Sequence, residues 1–128
     1  MDYGIRTKIN LPFEEAIEKV KEELSKEGFG VLTEINVKET LKKKINVEFA
    51  KYIILGACNP YLAHKALQEE TELGLLLPCN VIIYEKEGKT FVSAINPEIG
   101  MGFIENENLE KISEEVKKKL QKVISNLM

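Results

Sequence analysis

The sequence predicts an α+β fold, a two-layer sandwich in which helices pack on a mixed, mostly antiparallel sheet of about five strands. Three observations carry that expectation. The C-terminal stretch holds the cleanest apolar stripe of the chain, Leu109, Ile112, Val116, Leu120, Val123, Ile124 and Leu127, at the spacing of a helix with one buried side. "YIILGAC" and "NVIIYEKEGKTFVSAI" are β-branched and aromatic runs, the second broken by a turn near Glu87, Gly88 and Lys89. Helix and strand segments alternate in the order β-α-β-(α)-β-α-β-β-α, with no linker, internal repeat or low-complexity tract, so residues 1–128 read as one domain.

Each element has its own signal. "YGIRTKI" alternates Tyr3, Ile5, Thr7 and Ile9 along one side of a first strand. Pro12 suits the opening turn of a helix whose stripe is Phe13, Ile17, Val20 and Leu24 and which Gly28 ends. "FGVLTEINV" is the second strand, and "KETLKKKI" a short basic helix lying over a sheet edge. The continuous apolar run "KYIILGA" fits a central, well-buried strand. Asn59 and Pro60 form an N-cap and first-turn pair that opens a helix running to the region of Glu70.

The segment "ELGLLLP" is expected to be extended. At about 3.3 Å per residue it would undo the travel of the preceding helix and return the chain to the end of the sheet where Cys58 lies. Cys79 would then sit on a strand beside that of Cys58. "NPEIGMGFIENEN" reads as a loop exposing Met101-Gly102-Phe103, followed by the last helix from Asn106–Asn108.

Composition narrows the function classes. An apolar content of 44% over 128 residues supplies one ordinary core. The net charge is −3, and Arg6 is the only arginine among 18 basic residues. Nucleic-acid readers rely on the planar arginine fork, so no nucleic-acid partner is expected, and the lysine runs 42–44 and 117–119 are solvated helix faces. The apolar runs fall short of the roughly 20 residues that span a bilayer. "MDYGIRTKIN" lacks the basic start and apolar core of an export signal. A cytoplasmic protein with no membrane partner follows, and its two cysteines are expected as free thiols. No phosphate-binding, dinucleotide-binding, nucleophile-elbow or zinc-protease motif occurs.

Function therefore centres on "GACNPYLAHKALQEETELGLLLPCN", which holds both cysteines, each followed by asparagine, and the only histidine, His64. A thiol beside a helix N-terminus can have its pKa lowered and become a nucleophile or metal ligand. His64 offers a nitrogen from the next turn and Glu34 a carboxylate from the neighbouring strand. Set against this, free cysteines are commonly buried, Asn59 is accounted for as a cap, and two cysteines with one histidine are an incomplete structural zinc set.

Along "GFGVLTEINVKETLKKKI", "YIILGACNPYLAHKAL", "GLLLPCNVIIYE" and "SAINPEIGMGF" the sequence resembles the DUF302 family, whose function is unknown. The resemblance spans nearly the whole chain and implies a compact α+β fold, often homodimeric, with no established activity. Where that family's pattern often reads Glu-x-Asp after "GFGVLT", this chain has Glu34 and Asn36, which removes one carboxylate from any two-acid role. The leading expectation is a homodimer that binds a small ligand or partner through Cys58, Asn59, His64, Cys79, Asn80 and Glu34. The alternatives are a thiol redox enzyme with Cys58 as thiolate and Cys79 resolving, or a transition-metal site of Cys58, Cys79 and His64. That metal site would need one more ligand from water, Glu34 or a second subunit.

Overall fold

Side-chain alternation decides which face of the sheet is buried. The computed structural model describes residues 2–128. In β3 (Tyr52–Cys58), Ile53, Leu55 and Ala57 are buried, whereas Tyr52 before them and Ile54 between the first two remain half-buried. The same period of two runs through β4 (Cys79–Lys86) and β5 (Lys89–Ile95), where Cys79, Val81, Ile83, Val92 and Ala94 point into the core. The remaining strands are β1 (Gly4–Ile9) and β2 (Gly30–Asn36).

The strands are ordered β1-β5-β4-β3-β2 in one five-stranded sheet. Every pairing is antiparallel, so the expected α+β class holds and no parallel pair is present among the described residues. The β4–β5 turn is the tight two-residue kind: Lys86 pairs with Lys89, and Glu87 and Gly88 between them take φ of 53° and 74°. Two positive φ values match the strand twist, which is why a glycine stands there.

Helices α1 (Phe13–Lys26) and α5 (Glu107–Ser125) cover the buried face. Val20 and Leu24 from α1 meet Leu120 and Val123 from α5 above the strand residues of the main core. Helix α1 stops as its sequence implies. Gly28, at φ 84°, lets its own N–H reach the Ser25 carbonyl and lets Phe29 N–H reach the Leu24 carbonyl at 3.0 Å. Phe29 and Leu24 are both buried, so the turn is closed by an apolar contact as well.

A second, smaller core lies at one end, where Ala66 of α3 (Pro60–Glu69), Leu73, Met101 and Leu109 pack together. Two expectations are corrected here. Residues Thr71–Leu76 form a 3-10 helix and not an extended segment, because Leu73 turns inward into this core. The chain still returns to the right end: the tighter rise of about 2 Å per residue, added to the extended residues that follow, offsets the ten residues of α3. The "NPEIGM" stretch is likewise a short helix, α4 (Pro97–Met101), which buries Met101 and leaves Phe103 exposed. Its start repeats the Asn59–Pro60 signal, with Asn96 Oδ1 accepting from the Glu98 N–H at 3.1 Å.

The short basic helix α2 (Val37–Ile45) follows β2 and buries none of its side chains. Asn36, the position where an acid was absent from the sequence pattern, is its N-cap, accepting from the Glu39 N–H at 3.1 Å. No helix among the described residues is long and apolar enough to cross a membrane.

Candidate functional site

The two Cys-Asn pairs do meet at one end of the sheet. Ala57 is opposite Cys79 and Gly56 opposite Asn80, so Cys58 and Cys79 lie on neighbouring strands as the sequence implied. Gly56 makes that corner tight. A Cβ there would overlap the Thr33 hydroxyl and come within 2.8 Å of the Pro78 ring, so only glycine lets Pro78 lie against the strand.

Asn59 is a clamp between two elements. Its Oδ1 accepts from the Leu62 N–H at 3.2 Å, capping α3, while its Nδ2 donates to the Glu27 carbonyl at 3.3 Å, at the end of α1. The side chain is buried, with both ends of its amide used inside the protein. Replacing it with alanine leaves the Leu62 N–H without its cap and unties the α1 terminus. Asn59→Ala is expected to cost about 1–2 kcal/mol in denaturant melts. A loss under about half a kilocalorie would show that the clamp carries no stability.

Both thiols line a small interior cavity of about 20 Å³, together with Phe29, Leu62, Met101 and Val116. Space for about one water, walled almost wholly by apolar groups, favours a dry packing defect over a polar site. Cys79 is 8% exposed, and both cysteines are free. Burial, and secondarily the nearby Cys58, push the Cys79 thiol up from its usual value to about 11. Cys79 therefore carries its proton throughout the neutral range.

On the other side of Cys79 and Pro78 an open cleft of about 380 Å³ lies between the 3-10 segment and α4. Leu76, Pro78, Ile95, Ile99 and Phe103 supply its apolar wall, and Asn80 its polar one. Asn80 also borders a shallower hollow of about 150 Å³ on the far face of the sheet, beside Ser93 and Ile82. Asn80 is exposed, in contrast to Asn59.

The structure thus gathers four of the six candidate residues, with Cys58, Asn59 and Cys79 round the inner cavity and Asn80 joining Cys79 at the cleft. His64 and Glu34 line neither. His64 is exposed on α3, and Glu34 is tied to Lys21 of α1 at 3.0 Å. No group of three or more His, Cys, Asp or Glu side chains converges to hold a metal ion among the described residues. The cleft residues Leu76, Ile95 and Ile99 are absent from the sequence-derived set. Their only sequence signal is the second Asn-Pro pair, which marks a turn able to face the first.

The family model for the domain of unknown function DUF302 matches residues 5–127. The chain belongs to the DUF302 family. A crystal structure of an uncharacterized conserved DUF302 protein from Bacillus stearothermophilus superposes with a TM-score of 0.94, at 28% identity and over the full length of both chains. No curated protein matches the sequence. The DUF302 chain described here therefore has a well-matched fold, and its chemistry is to be read from the cleft and the thiol corner.

Proposed function

We propose that this DUF302 domain is a homodimer that binds a small, mainly apolar molecule in the cleft beside Cys79 and Asn80. The cleft carries the reading: its volume of about 380 Å³ falls within the range of about 300–1,000 Å³ common to small-molecule sites. An apolar wall with one amide is the pattern of a site that gains affinity from burial and orientation from a single polar contact. Asn80 can donate to or accept from a carbonyl or hydroxyl. Phe103, at 86% exposed, stands at the mouth, where a bound molecule would cover it. The homodimer in this reading comes from likeness to DUF302 proteins. A thiol redox or metal role draws support from the cavity shared by the two sulfurs, but the buried, protonated Cys79 and the exposed His64, which does not line that cavity, weigh against it.

Two measurements test the cleft. Native mass spectrometry of the protein from its own host should show a retained small molecule. Anilinonaphthalene sulfonate should bind saturably, about tenfold more weakly to Phe103→Ala. Binding should be lost in Gly100→Leu, since a Cβ at Gly100 already meets Leu76 Cδ1 at 3.4 Å and a larger side chain fills the space. Unchanged titrations in both variants, with no retained mass, would sink the ligand reading.

A further inference from the structure

Asn80 and Ile95 line the cleft beside Cys79, and the same two residues line the hollow of about 150 Å³ on the far face of the sheet. Strand order explains how one pair of side chains borders both. Asn80 stands at the start of β4 and Ile95 at the end of β5, where the ladder stops and the cleft begins. The two spaces therefore adjoin round the end of the sheet. The cleft is apolar along Leu76, Ile99 and Phe103, and the polar groups lie at Asn80 and beyond it. No charged side chain lines either space among the described residues.

Two small residues open the hollow. Gly4 on β1 and Ser93 on β5 stand there among Tyr3, Ile82 and Ile95. Arg6 is opposite Ser93 in the β1–β5 ladder, and its side chain folds back over Gly4. A Cβ on Gly4 would come within 2.6 Å of Arg6 Nη2 and 2.8 Å of Ser93 Oγ, so it would push the guanidinium or the hydroxyl from the rim. The guanidinium is already paired. Asp2 accepts from Arg6 Nη1 at 2.7 Å, from Nη2 at 3.0 Å and from the Gly4 N–H at 3.1 Å. An amide, a hydroxyl and a charge-balanced ion pair offer hydrogen bonds without net charge.

We infer that the ligand of the cleft is a neutral amphiphile, a hydrocarbon chain carrying an uncharged hydrogen-bonding end such as a primary amide or an alcohol. The chain lies against Leu76, Ile99 and Phe103, and the polar end passes Asn80 to the hollow at Ser93. The inference rests on the cleft reading above and adds the class of ligand and a second subsite. The charge balance selects the class. A carboxylate end would meet a guanidinium whose donors Asp2 already holds, and it would sit beside the Asp2 carboxylate. A cationic end would find no carboxylate lining either space, and Asp2 is paired. A charge taken from water against apolar walls without a partner is costly, whereas an amide or hydroxyl finds partners in Asn80 and Ser93.

Displacement of anilinonaphthalene sulfonate from the cleft tests the assignment, with octanamide, octanol and octanoate as competitors at pH 7. The three share one chain length, so only the polar end differs. Octanamide and octanol should displace the dye at least about tenfold more tightly than octanoate. Ser93→Ala removes one hydrogen-bonding group and should weaken octanamide about fivefold. Ser93→Leu fills the hollow and should weaken it at least about tenfold. Neither variant should change the affinity of the dye itself, because Ser93 does not line the cleft. Ser93 is half-buried outside the main core, and circular dichroism verifies the fold of both variants. Octanoate binding as tightly as octanamide, or octanamide unchanged in both variants, overturns the neutral amphiphile and leaves the cleft reading standing. The comparison of amide with carboxylate needs the wild-type protein alone, so it decides even where a variant fails to fold. A wild-type protein that binds neither dye nor competitor overturns the cleft reading and the amphiphile together.

Discussion

Replacing Leu120 with alanine should lower the stability of the protein by about 2–4 kcal/mol. Leu120 is 0% exposed and sits in the main core, where α5 lies over the sheet. The loss has two parts: the transfer free energy of the deleted methyl and methylene groups, and the void left where neighbours cannot collapse. Those neighbours come from two further elements packed against α5, with Val20 and Leu24 on α1 and Val92 and Ala94 on β5 fixed in the same cluster. Strand side chains held by a ladder on each side cannot move far, so the void should stay open and the cost should fall in the upper part of that range. Val116→Ala removes less volume from the same stripe and should cost less. Denaturant melts measure both; a loss below about half a kilocalorie for Leu120→Ala would mean that α5 is not seated on the sheet.

That helix was also the most legible part of the sequence, and the reason is physical. Its stripe keeps one period over nineteen residues, from Glu107 to Ser125, so the buried side is over-determined. Strand identity was legible for the same reason, since alternation in β4 and β5 and the Glu87–Gly88 turn agree with one another. The 3-10 segment was not. "ELGLLLP" is apolar at nearly every position, so it carries no period, and only the second core, formed with Met101 and Leu109, decides that Leu73 faces inward. The site was half legible. The two Cys-Asn corners lie on neighbouring strands as expected from chain travel, although the returning segment is a 3-10 helix and not the extended chain that the expectation assumed. Glu34 was misdirected because its Lys21 partner lies on another element, and the cleft wall depends on how α4 folds back, which no local pattern states.

Cys79 should react with iodoacetamide at pH 7 at least about 100-fold more slowly than an ordinary thiol, measured in a Cys58→Ser variant. The thiolate is the reacting species, and a rise from 9.0 to about 11 lowers its fraction at neutral pH by about that factor. Burial adds a steric barrier on top, so the rate should recover only as denaturant opens the core. The same shift sets a pH dependence of stability. Because the folded pKa lies above the unfolded one, the fold favours the neutral thiol. That advantage is fully present below about pH 9 and is lost as the pH rises towards 11, up to about 2–3 kcal/mol. Wild-type protein should therefore lose more stability between pH 8 and 11 than Cys79→Ala, which has no thiol to titrate. Cys58, half-buried at the strand end, gives the internal comparison when alkylated in a Cys79→Ser variant. A fast Cys79, or an alkaline profile unchanged by its removal, would show that this sulfur ionises in place. The buried, protonated thiol would then no longer weigh against the redox alternative. A slow Cys79 leaves the thiol as part of the wall between the inner cavity and the cleft, where its work is to keep that wall apolar.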